Sequence, residues 1–138
     1  MKYLNTTKQI FRLVITLFFL LIIPLVNAHH SGSMFDHTSI VEISGEVREF
    51  QYTNPHSWLL VDVTNEDGSV TTWGFEAEGP STLMRAGIRK GDLPVGTPIT
   101  IRGNPMKDGR SAGAWIDAVV NGQSINPRNG FAVIPAAD

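Results

Sequence analysis

The chain has 138 residues, a net charge of −2, 17% charged and 42% hydrophobic residues, 13 Gly, 8 Pro and no Cys. That length holds one domain, and the modest charge with a fair apolar share excludes a disordered chain. The acidic balance argues against a nucleic-acid partner, which needs a basic face to neutralise phosphates. The lack of Cys excludes disulfides, thiolate metal sites and a cysteine nucleophile.

Lys2, Lys8 and Arg12 make a positive start, followed by an apolar run over residues 13–26 that Pro24 interrupts. The run is shorter than the ~20 residues a membrane-spanning helix needs. Val26-Asn27-Ala28 then offers small or modest residues at the −3 and −1 positions of a cleavage site. Residues 1–28 therefore read as a secretory signal peptide cut after Ala28, which leaves no stable membrane anchor and a periplasmic or secreted product. Residues 29–138 keep 8 of the 11 basic and all 13 acidic residues, a net charge of −5.

Residues 29–39 read as an N-terminal arm, with Met34 and Phe35 as its anchors. The barrel strands follow over residues 40–125. Residues 40–52 alternate, with Val41, Ile43, Gly45 and Val47 on one face. Phe50 and Tyr52 lie on the opposite parity, a switch that a bulge or strong bend produces. Thr53-Asn54-Pro55 is a turn. Residues 56–63 form a strand with Leu59, Val61 and Val63 inward, so His56 and Trp58 face outward together. Asn65–Gly68 is a hairpin loop, and residues 69–77 are a third strand carrying Thr71, Trp73 and Phe75 on one face.

Gly79–Gly87 reads as a short helix, with Pro80 in its first turn, Gly87 as its stop and Leu83 as its core contact. A fourth strand over 97–103 turns Ile99 and Ile101 inward. A fifth spans 112–120, and Asn121-Gly122 turns it. Residues 126–138 show no period and read as a loosely attached, flexible tail. A three-strand meander, a short helix and a two-strand hairpin, with a long bent first strand, match the five-stranded barrel of oligonucleotide- and oligosaccharide-binding folds. The predicted class is all-β, with one short helix between strands three and four.

Four histidines carry the first chemical constellation: His29, His30, His37 and His56. After cleavage at Ala28, the amino and ring nitrogens of His29 could chelate one ion. An imidazole from His56 would complete a three-nitrogen histidine brace, with His30, His37 or Asp36 as substitutes. Without thiols, copper or zinc on nitrogen is the sensible metal. The opposing view makes His29 and His30 a solvated terminus and His56 a loop cap.

The second constellation is aromatic. Tyr52, Trp58, Trp73 and Trp115 lie on strands, and the second and third strands form the usual binding surface of such barrels. Tyr52, Asn54, His56 and Trp58 are the candidate contacts for a small molecule, glycan or peptide, against the alternative that the aromatics fill the core. No hydrolase, metalloprotease or phosphate-loop motif occurs, so the protein reads as non-enzymatic. Glu76 and Glu78 share a parity and read as a solvated strand end.

The segments Ala28-His29-His30-Ser31, Met34-Phe35-Asp36, Gly45-Glu46-Val47 and Thr53-Asn54-Pro55-His56-Ser57-Trp58 resemble a family of small exported bacterial proteins of unknown function. Trp73-Gly74-Phe75-Glu76, Gly79–Leu83, Arg85-Ala86-Gly87 and Gly103-Asn104-Pro105 fit it too. The resemblance spans roughly residues 28–122. It implies export and these domain limits, and no activity.

Overall fold

A computed structural model describes residues 31–133. The proposed signal peptide, His29, His30 and residues 134–138 lie outside the described residues. Alternating apolar residues build a sheet of seven strands: β1 (Val41–Gln51), β2 (Ser57–Thr64), β3 (Val70–Ala77), β4 (Pro98–Pro105), β5 (Ala112–Val120), β6 (Gln123–Asn126) and β7 (Gly130–Val133). The first three form an antiparallel meander. β4 returns to the first half of β1, and β5 pairs with β4. A short parallel pairing of β3 with β5, Gly74 to Glu76 against Ala112 to Ala114, closes the five-stranded barrel. The helix α1 (Pro80–Arg85) lies between β3 and β4, as the sequence predicts.

The parity switch in the first strand is a bulge. Val47 pairs with Val61 and Glu49 with Leu60, so the register slips across Arg48. β1 can therefore pair with β4 through its first half and with β2 through its second. Gly45 sits at the crossing, where a Cβ would collide with the carbonyl oxygen of Asp62. Only a residue without a side chain lets β1 approach β2 so closely.

Inward positions on every barrel strand fill one core. Leu59, Val61, Phe75 and Ile101 have no measurable exposure, and Leu83 and Ile88 plug the core from the helical connection. Pro80 starts the helix at a position where a backbone N–H, which proline lacks, is not needed, Leu83 is its buried residue, and Gly87 follows its end at φ +81°. Buried aromatics meet edge-on, Phe50 against Trp115 with ring centroids 6.3 Å apart, a favoured geometry for such rings.

The chain after residue 126 differs from the flexible tail the sequence suggests. β6 and β7 form an antiparallel hairpin that extends the sheet from β5, as far as Val133. Pro127 and Gly130 are its turn rather than signs of disorder. Gly130, at φ +83°, packs so tightly on the carbonyl of Ala86 that a Cβ would clash there. Short strands with no room for an alternating pattern leave little periodic trace.

The N-terminal arm is docked. Phe35 is 2% exposed and bridges Met106, while Met34 remains 37% exposed, so one of the two expected anchors does that work. The Asp36 amide donates to Pro105 O at 2.8 Å, and Lys107 N donates to Met34 O at 3.0 Å. The Lys107 ammonium donates to Ser33 O at 2.9 Å.

Candidate functional site

The arm, the end of β3 and the start of β5 line a half-open cavity of about 140 Å³. Its wall includes Gly32 and His37 from the arm, His56 ahead of β2, Glu76 on β3, Trp115 on β5 and Arg128 from the β6–β7 turn. Strand register explains the convergence. Glu76 lies opposite Trp58 on β2 and level with Ala114 on β5, at the position where β3 leaves the meander to close the barrel.

His56 Nδ1 lies 3.1 Å from Glu76 Oε1. The glutamate side chain is only 9% exposed and the imidazole 39%. The two are within ion-pair distance, so a protonated imidazole stands against the carboxylate it covers. The solvated strand end read from the sequence is thus corrected for Glu76, which lies beneath its histidine partner. Glu78, two residues on, behaves more as expected: its side chain is 30% exposed and accepts from Arg128 Nε at 2.6 Å.

Trp115 is 6% exposed. Its Nε1 is the one buried side-chain nitrogen or oxygen among the described residues with no hydrogen-bond partner. Leaving such a donor unpaired costs about 1–3 kcal/mol.

The candidate contacts named from sequence are brought together only in part. His56 and Trp58 do share the outward parity, and Trp58 is half-buried, its ring lying over Gly74. Tyr52 is committed elsewhere. Its hydroxyl lies 3.0 Å from the carbonyls of both Pro80 and Ile88, so it ties β1 to the helical connection. Burial pushes its phenol above the ordinary value of 10.0. Asn54 is exposed in the turn before β2. Trp73 packs stacked on Phe75, with centroids 6.1 Å apart.

Among the histidines, His37 has both ring nitrogens engaged, Nδ1 with Asn104 Oδ1 at 3.2 Å and Nε2 with Gly32 O at 2.9 Å. The Asn104 amide is oriented by its own donation to Ser39 O at 2.8 Å. His37 therefore holds the arm and has no ring nitrogen to spare. Asp36 is likewise occupied, by Thr38 and Ser39. Among the described residues, no group of three His, Cys, Asp or Glu could hold a metal ion, and no helix is long and apolar enough to cross a membrane.

Sequence reasoning missed Glu76, Trp115 and Arg128 as neighbours of His56. The only available signal was the register of β2 on β3, which places residues 58 and 76 side by side.

Neither the curated proteins nor the solved structures contain a match to the chain. A model of a family of unknown function, DUF6152, matches residues 22–116. The match takes in all four histidines, Glu76, Glu78 and Trp115, and more than half of the sequence: the chain belongs to this family of unknown function.

Proposed function

We propose that the protein is exported, loses residues 1–28, and works as a non-enzymatic binding protein whose ligand occupies the cavity under the N-terminal arm. The observation that carries this reading is the unpartnered Nε1–H of Trp115, a residue of the same cavity wall as the half-exposed His56 and the Glu76 beneath it. A core residue with no binding role is better served there by Phe, which has no donor to satisfy. A ligand that brings an acceptor removes the penalty. The volume, about 140 Å³, limits the occupant to a small molecule or one terminal group of a glycan or peptide. A dry cavity of about 150 Å³ holds a benzene ring.

Intact-mass analysis of the protein recovered after export checks the processing; a mass that retains residues 1–28 overturns that part. Calorimetric screening of small molecules, glycans, peptides and cell-wall fragments tests the site, with Trp115→Phe as the paired variant. The variant keeps the ring and loses the donor, so affinity falls about 3- to 10-fold, the worth of one neutral hydrogen bond. A ligand that binds wild type and Trp115→Phe equally, or a panel with no binder, defeats the reading.

A further inference from the structure

Resting on the reading of the cavity as a binding site, we infer that its ligand is a small organic monocarboxylate, held by donors on Trp115, His56 and Arg128. Beyond the pairs within the wall, the open hydrogen-bonding positions are donors. Trp115 is 6% exposed, and its Nε1–H has no acceptor among the described residues. His56 faces Glu76 through Nδ1 at 3.1 Å and its ring is half-exposed, which leaves Nε2 as a second donor on the imidazolium. Arg128 spends Nε on Glu78 at 2.6 Å, and a guanidinium has further N–H groups to give. All three residues line the cavity. The two carboxylates of the wall each already face a cation. Glu76 positions the His56 ring and does not touch the ligand. A group that only accepts is the complement of this wall, and a carboxylate accepts from several donors at once.

The charge of the wall points the same way. His37 sets both ring nitrogens against acceptors, Nδ1 3.2 Å from Asn104 Oδ1 and Nε2 2.9 Å from Gly32 O. A backbone carbonyl cannot donate, and the Asn104 amino group is turned to Ser39 O at 2.8 Å, so it is the amide oxygen that faces His37. Only an imidazolium donates from both nitrogens. His37, His56 and Arg128 then give the wall three positive charges against the two negative charges of Glu76 and Glu78, a surplus of one. A charge leaves water at tolerable cost only when it is paired, so the surplus admits one carboxylate and leaves a dianion unbalanced. Phe35 and Ala77, both buried, give the same cavity an apolar side, against which a short carbon chain or the edge of a ring packs. A phosphate ion has nothing to place there. The Arg128 side chain is 77% exposed, a rim contact, so Trp115 and His56 carry more of the affinity.

The test is nuclear magnetic resonance of the isotope-labelled protein. Its three tryptophans give three indole N–H signals, and the one absent from Trp115→Phe belongs to Trp115. Propionate and propionamide, matched in shape and different in charge, are titrated in mildly acidic, low-salt solution, where imidazoles are charged and screening is weak. Propionate is expected to move the Trp115 signal and to bind about 10-fold more tightly than propionamide. Inorganic phosphate leaves the signal in place. Trp115→Phe and His56→Ala each lower propionate affinity about 10-fold, and Arg128→Gln, at the exposed rim, about 3-fold. N-acetylglycine presents the same carboxylate at the end of a peptide unit. If it binds more tightly than propionate, the ligand is a chain terminus; if more weakly, a free acid; both uphold the inference. Propionamide or phosphate binding as tightly as propionate overturns it. If neither carboxylate moves the Trp115 signal while another small molecule does, the inference fails and the binding-site reading stands. If nothing moves that signal, both fail. The probes are compared on the wild-type chain, so the result holds even where a variant folds poorly.

Discussion

The middle of the barrel and its arm-covered end are built from the same strands under different rules. Around Phe75 and Leu59 the interior is apolar; among the described residues the one buried polar side chain is Ser57, which pairs with Ala77 two positions along. One to three residues past Phe75, at the end of β3 and beside β5, the polar groups accumulate: Glu76 under His56, Glu78 with Arg128, and the unpartnered Trp115 nitrogen. The first region is what any small domain needs in order to fold. The second carries an enclosed charge and an unpaired donor, neither of which a fold of this size requires. Proteins concentrate such local costs where they bind or react.

That contrast breaks first in the core. Phe75 has no exposure, packs against Trp73 and fills the space left by Gly103, where a Cβ would stand 2.8 Å from its ring. Phe75→Ala is expected to lower unfolding free energy by about 3–5 kcal/mol, from lost transfer and the cavity left behind. Denaturant unfolding measures it. A loss below about 1 kcal/mol would mean the barrel centre collapses around the gap, and that the interior is less rigid than its packing indicates.

The cavity end should respond with the opposite sign. Glu76→Met keeps volume and removes the buried charge. Replacing a buried ion pair with apolar groups is often neutral or stabilising by about 1–4 kcal/mol, and His56 is exposed enough to find water. Stability is therefore expected to hold or rise by about 1 kcal/mol while affinity for a ligand in the cavity falls. A destabilisation of about 3 kcal/mol or more would make Glu76 a structural residue and remove the distinction between the two regions.

The two regions also differ in how legible they were in the sequence. The barrel is written in local signals. Alternating Leu59, Val61 and Val63 marked β2, the shift from Val47 to Phe50 marked the bulge, and Pro80 with Gly87 bracketed α1. Each is a property of neighbours in the chain. The site depends on register. Glu76 looks like a solvated strand end until β2 lies beside it, because His56 is twenty positions away and the two meet only through the 58–76 pairing. Arg128 is further hidden, since the β6–β7 hairpin that carries it lacks a readable period. His56 was singled out for its type and its turn, while Trp115 gave no sign that its nitrogen would lack a partner.

The smallest expected effect concerns the arm, which belongs to neither region but covers one of them. Thr38 Oγ1 donates to Asp36 Oδ1 at 2.6 Å, as does the Thr38 amide at 3.0 Å, and Ser39 Oγ donates to Oδ2 at 2.7 Å. The two hydroxyls lead in holding the Asp36 carboxyl down, from the ordinary 3.8 to about 2. A depressed folded value means the ionised turn favours the docked arm. That contribution is complete above about 3.8 and is lost as pH falls through about 2. Asp36 sits partly exposed at the surface of the arm, so the change should be small and confined to the arm. Hydrogen-exchange protection of the Asp36 and Thr38 amides is expected to hold from neutral pH down to about 4 and then decline, while β2 and β3 amides keep theirs. In Asp36→Asn the decline across that window should disappear, because the side chain no longer titrates. If barrel and arm amides instead lose protection together in the wild type, the arm opens only when the barrel does. The cavity would then lack an independently moving cover, and a ligand would have to enter past the half-exposed ring of His56.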